Sequence, residues 1–97
     1  MTTDLQRLPH RRTDVRLWDR GTETVLMDPG DDTAHALNPT ARAIWELCDG
    51  TTTIDELVEA ICEVFAVPRE AALTDVTVVL EQFAAADLVG WSTADDR

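Results

Sequence analysis

A chain of 97 residues holds one small domain with a single core, and its composition, 44% hydrophobic and 28% charged, is usual for a soluble globular protein. Nineteen acids against eight bases give a net charge of −11, and all eight bases are arginine. The absence of lysine excludes a P-loop or Schiff-base lysine, and the single serine, Ser92, sits too near the C-terminus to serve a serine hydrolase or an acyl carrier protein.

Residues 1–14 are polar, contain Pro9 and show no periodicity, and read as a flexible tail. Residues 1–20 carry five arginines and three aspartates, a net of +2, so a partner-binding arm is the alternative for this segment. From Val15 the pattern changes. Val15 and Leu17 alternate with Arg16 and Trp18 until Asp19–Gly21, which predicts a short strand and a turn. Thr24–Met27 is a second strand. It ends at Asp28-Pro29-Gly30-Asp31-Asp32, where proline presets φ and glycine permits φ > 0. Thr33–Leu37 is a third. Short turns join the three, which predicts an antiparallel meander.

Asn38-Pro39 opens the helical half, with Asn38 as N-cap and proline at the first helical position. The first helix runs over 39–48, with Ala41, Ile44, Trp45 and Cys48 on one buried face, and Asp49-Gly50 ends it. Thr53 and Glu56 form a capping box for the second helix, whose apolar stripe is Ile54, Leu57, Val58, Ile61, Cys62 and Phe65. Pro68 starts a third helix to about Ala86, with Ala72, Val76, Val79, Leu80 and Phe83 inward. Leu88 and Val89 close the core, and residues 92–97 read as a second flexible tail. The expected fold is therefore α+β and winged helix-turn-helix-like: a three-stranded antiparallel sheet followed by three helices, one domain over 15–91.

No apolar run approaches the roughly 18–20 residues that cross a bilayer, and the N-terminus has no signal-peptide stretch, so a cytoplasmic protein with no membrane partner is expected. In that compartment Cys48 and Cys62 read as free thiols, and on apolar helix faces they act as small hydrophobes. His10 and His35 lie far apart and there is no Cys-x-x-Cys, so neither metal nor cofactor is expected. Residues 21–97 carry a net charge of −13, which would repel a phosphate backbone. With no nucleophile, base or metal constellation, the expectation is a binding protein and not an enzyme. The third strand, with one side unpaired, offers an edge to which an extended peptide can add.

His35-Ala36-Leu37-Asn38-Pro39-Thr40-Ala41, followed by Ile44-Trp45-Glu46-Leu47-Cys48-Asp49-Gly50, resembles the PqqD family. Thr52-Thr53-Ile54-Asp55-Glu56-Leu57, Asp75-Val76, Val79-Leu80, Phe83 and Asp87-Leu88-Val89 continue the resemblance, which spans about 15–91. The resemblance implies a RiPP recognition element: a domain that binds the leader of a ribosomally made precursor peptide and presents it to a modifying enzyme, such as a radical SAM enzyme or a cyclase or protease. It implies peptide contacts at Thr33, Ala34, His35, Ala36 and Leu37 on the strand, and at Asp75, Val78, Val79 and Gln82 on the third helix. The first two strands and the basic N-terminal segment depart from the quinone-pathway members, which leaves the product open among a quinone cofactor, a lasso peptide and other peptide natural products. A winged-helix DNA-binding regulator and a general protein–protein adaptor are the alternative readings.

Overall fold

The computed structural model describes residues 7–93, apart from 22 and 31. The elements, in chain order, are β1 (Arg7–Arg11), β2 (Arg16–Arg20), β3 (Glu23–Asp28), β4 (Thr33–Leu37), α1 (Pro39–Leu47), α2 (Ile54–Phe65), α3 (Arg69–Ala85) and β5 (Val89–Thr93). The expected meander is present as a sheet of order β2-β3-β4, antiparallel throughout, and the three helices follow it. Thr24, Leu26 and Asp28 of β3 are buried, so this face of the sheet turns to the helices, with Leu17 and Leu37 beside it. The helix ends follow the sequence signals. Asn38 Oδ1 accepts from the Ala41 N–H at 2.7 Å, and Thr53 and Glu56 exchange both bonds of the capping box. Ala66 and Asp87 close α2 and α3 in the left-handed region, at φ 54° and 61°, with the Val67 and Leu88 N–H groups reaching back to Cys62 and Phe83 carbonyls.

The core lies among the three helices and the inner sheet face. Ile44, Trp45, Leu57, Val58, Ile61, Val76, Leu80 and Phe83 are all buried there. Trp45 meets Phe83 edge to face, with ring centroids 5.4 Å apart and planes at 78°. Cys62 and Phe65, expected on the buried stripe of α2, are only half-buried at its margin.

The N-terminal segment is not a tail where it is described. Arg7–Arg11 forms β1, which pairs antiparallel with β5 in a second sheet of order β1-β5. The other side of β1 bonds to the α1–α2 connection: Arg11 N–H donates to the Cys48 carbonyl at 2.8 Å, and Gly50 N–H donates to the Pro9 carbonyl at 3.1 Å. Hydrogen-bonding groups alternate along a strand, so Pro9 and Arg11 face this connection while Leu8 and His10 face β5. The missing proline N–H therefore costs the β1–β5 ladder nothing. The same pairing draws Ser92 and Thr93 out of the expected C-terminal tail. Residues 1–6 and 94–97, the remainder of both expected tails, lie outside the described residues.

The arginines of this segment hold the fold together. Arg11 donates to the carbonyls of Trp45 at 3.3 Å, Glu46 at 2.9 Å and Cys48 at 3.4 Å, placing a positive charge on the carbonyl end of α1. Arg12 spans three elements of chain: it donates to both Asp14 oxygens at 3.0 and 2.8 Å, to Asp28 Oδ2 at 3.0 Å, and to the Asp87 carbonyl at 3.2 Å. That pairing holds the Asp14 carboxyl below the usual carboxylate range. Arg7 lies over the Trp91 ring, 4.0 Å from its centroid.

Two measurements check this account. Trp45→Ala should cost about 3–5 kcal/mol in chemical denaturation, since it removes a buried indole and strands Phe83 beside a cavity. Deleting residues 1–12, harmless if they were a tail, should lower the melting temperature by about 10 °C or more, because about 2 kcal/mol shifts a domain of this size that far.

Candidate functional site

Thr33–Leu37, the expected binding strand, is β4. Among the described residues it has a strand neighbour on one side only, because β3 occupies the centre of the sheet. Which backbone groups face the open side follows from the preceding turn. Arg20 and Glu23 pair across a two-residue connection that starts at Gly21, with φ 71°. Such a connection makes the flanking residues a hydrogen-bonded pair. Alternation then directs Glu23, Val25 and Met27 to β2, and Thr24, Leu26 and Asp28 to β4. The partners of the latter three are Leu37, His35 and Thr33. Ala34 and Ala36 are thereby left with N–H and C=O directed to the open edge.

The side chains divide by the same alternation. Thr33, His35 and Leu37 share the inner face of the sheet with Leu26, and Ala34 and Ala36 lie on the outer face. Thr33 Oγ1 and His35 Nε2 are hydrogen-bonded at 3.2 Å. On the inner face the sheet is tied to α1 through Asp19, whose Oδ1 accepts from Thr24 Oγ1 and from Arg42, both at 2.9 Å.

On α3, Asp75, Val78 and Gln82 fall at i, i+3 and i+7 and are exposed, with Val78 at 46%. Val79 differs from them: it is buried in the core beside Val76, Leu80 and Phe83. The main packing partner of β4 outside its sheet is α1, while α3 packs chiefly on α2, α1 and β5. Each expected set is therefore continuous in itself, a strand edge and a helix stripe.

Sequence reasoning missed the outer face of the sheet. Trp18, Val25, Met27, Pro29 and Ala34 line a hollow there, together with Arg16, Asp28 and Asp32. The available signal was the run Val25-Leu26-Met27: a strand with one wet face alternates, and three consecutive apolar residues put apolar groups on both faces.

Among the described residues no cluster of histidine, cysteine or acidic side chains is arranged to hold a metal ion, and no helix is long and apolar enough to cross a membrane. Both cysteines are free thiols. Cys48 is fully buried at the end of α1, and burial pushes its thiol up to about 12. Iodoacetamide at pH 8 should therefore label Cys62 in the native chain and Cys48 only after denaturation, as mass spectrometry after cleavage at glutamate, which places the two cysteines in separate peptides, will report.

Residues 23–89 match the family described as coenzyme PQQ synthesis protein D (PqqD). No curated protein matches the chain. Two solved structures share its fold. One is TbiB1 in complex with the TbiA(beta) leader peptide, 25% identical, covering 82% of this chain and 93% of that one with a TM-score of 0.71. The other is a lasso peptide synthetase B1 complexed with the leader peptide, 16% identical, covering 86% and 98% with a TM-score of 0.74.

Proposed function

From the premise that this chain belongs to the PqqD family, we propose that it binds the leader segment of a ribosomally synthesised precursor peptide by strand addition to β4 and presents that peptide to a modifying enzyme. The observation that carries the proposal is the edge of β4, where Ala34 and Ala36 direct N–H and C=O groups outward. TbiB1, a structure of the same fold and 25% identical, has been solved with a leader peptide bound, which supports the same reading. Main-chain pairing gives affinity with little regard to side chains, and pockets on either face of the added strand give specificity. Asp75, Val78 and Gln82 of α3 are proposed as contacts on the helix side, with His35 and Leu37 on the strand; Val79 supports them from the core.

The chain works as a binding subunit and leaves the chemistry to its partner, a radical SAM enzyme or a cyclase or protease. It uses no cofactor, and its site of action is the cytoplasm. Nucleic acid is not a partner: residues 21–97 carry a net charge of −13, and the arginines Arg7, Arg11 and Arg12 are engaged within the fold.

Fluorescence anisotropy with a labelled cognate leader should give a Kd between micromolar and nanomolar, roughly −8 to −12 kcal/mol. Ala36→Pro removes an outward N–H on an edge strand, where proline is tolerated, so it should weaken binding about tenfold or more while the melting temperature stays close to that of the parent. Unchanged binding in this variant would place the peptide elsewhere. Duplex DNA at physiological salt should not bind.

A further inference from the structure

We infer that the hollow on the outer face of the β2-β3-β4 sheet takes one large apolar side chain, preferably aromatic, from the peptide strand that docks on β4; this rests on strand addition at that edge. The hollow has a volume of about 700 Å3; Trp18, Val25, Met27, Pro29 and Ala34 form its apolar wall, and Arg16, Asp28 and Asp32 complete the lining. Pairing register sets Arg16, Met27 and Ala34 in one row across the sheet, and Trp18, Val25 and Ala36 in the next. Neighbouring strands lie about 4.8 Å apart, so a strand added to β4 extends each row by one residue. Side chains opposite Ala34 and Ala36 then emerge on this outer face, and their neighbours in the peptide turn to the helix side.

Ala34 and Ala36 are what make the hollow reachable. Only their two methyl groups stand between the added strand and the larger side chains of β3. A long or aromatic side chain opposite Ala34 leans across the methyl and lies against Met27, Val25 and Trp18, within the reach of diagonal cross-strand neighbours. Trp18 is 55% exposed, although its ring is the largest apolar group on the sheet. A single exposed apolar residue is ordinary, whereas a walled cluster that runs up to an open strand edge is a binding feature. Beside its apolar wall the hollow carries the Arg16 guanidinium and the carboxylates Asp28 and Asp32, and the guanidinium favours an aromatic occupant because a cation can rest on the ring face.

Peptide specificity is thus read on both faces of the sheet. The inner-face residues of the peptide meet the helix side, and one outer-face residue is read by the hollow.

The test uses fluorescein-labelled synthetic peptides that span the N-terminal halves of the small open reading frames flanking the gene, with anisotropy to choose the tightest binder. Trp18→Ser should weaken its binding about tenfold, and Ala34→Leu, which fills the hollow while keeping the outward N–H, should do the same. Trp18→Phe keeps an aromatic wall and should bind within about threefold of the parent. Serine replacement along the peptide should find one apolar position whose loss has no further effect in the Trp18→Ser background. Should Trp18→Ser fail to fold, Ala34→Leu and its own peptide scan decide the matter.

Ala36→Pro separates this inference from the reading beneath it. If Ala36→Pro abolishes binding while Trp18→Ser and Ala34→Leu leave it unchanged, strand addition stands and the hollow is overturned as a recognition pocket. If Ala36→Pro has no effect, or no peptide binds, strand addition fails and the hollow inference falls with it. Sedimentation that finds a dimer dissociated by Trp18→Ser overturns it too, since a second copy would then occupy the face.

Discussion

Along an antiparallel strand the backbone groups of successive residues point to opposite sides, and β3 lies at the centre of its sheet, so the direction of every group in β4 is inherited from it. The tight connection at Gly21 sets which residues of β3 bond to β2. Everything downstream follows: Thr24, Leu26 and Asp28 bond to β4, their side chains are the buried ones, and Ala34 and Ala36 are left at the edge. A single inserted residue in that turn would exchange the two faces and bury the wrong set of side chains. The direction of the backbone groups at the open edge of β4 thus depends on a turn at the far end of β3.

Two alanines at that edge suit a docking strand in two ways. Their methyl groups leave the approach to the backbone open, and they leave the outer face of the sheet hollow next to the larger Val25 and Met27. An exposed edge is also an invitation to aggregation. The strongly acidic charge of residues 21–97 opposes self-association of the free chain.

The second sheet has a different task. β1 and β5 join the two ends of the described chain, and β1 also bonds to the α1–α2 connection on its other side. Its arginines are distributed among three structural duties: Arg7 on an indole, Arg11 on the carbonyl end of α1, and Arg12 on Asp14, Asp28 and the Asp87 carbonyl. Arg12 thereby links the β1–β2 loop, the end of β3 and the turn before β5. Gly90 is required at the crossing, because a Cβ there would stand 2.5 Å from the His10 ring. A segment whose composition suggests a basic arm is in this way a clasp, with its positive charge neutralised within the acidic domain.

Local signals in the sequence are sufficient for the meander and for all three helices, because each is written in nearby residues: Asn38-Pro39, the Thr53–Glu56 capping box, the stripe of Ala72, Val76, Leu80 and Phe83, and the turn at Asp28–Asp32. The third strand and its unpaired side were likewise legible from order and turn length, and so was the family, from motifs clustered over 35–57. β1 was not legible. Arg-Leu-Pro-His-Arg has no alternation and contains a proline, and its partner lies about eighty residues away, so nothing local distinguishes it from a tail. Val79 is a related case, since one stripe of α3 supplies both core and surface and a helical repeat alone does not tell which neighbour is covered. The sequence by itself determined the three helices and the strands β2, β3 and β4, because capping, turn chemistry and periodicity act over a few residues. Only the tertiary structure decided that the N-terminal segment is a strand, which alanines face the open edge and that the outer sheet face is hollow, because those depend on pairing and register between segments that the chain brings together only on folding.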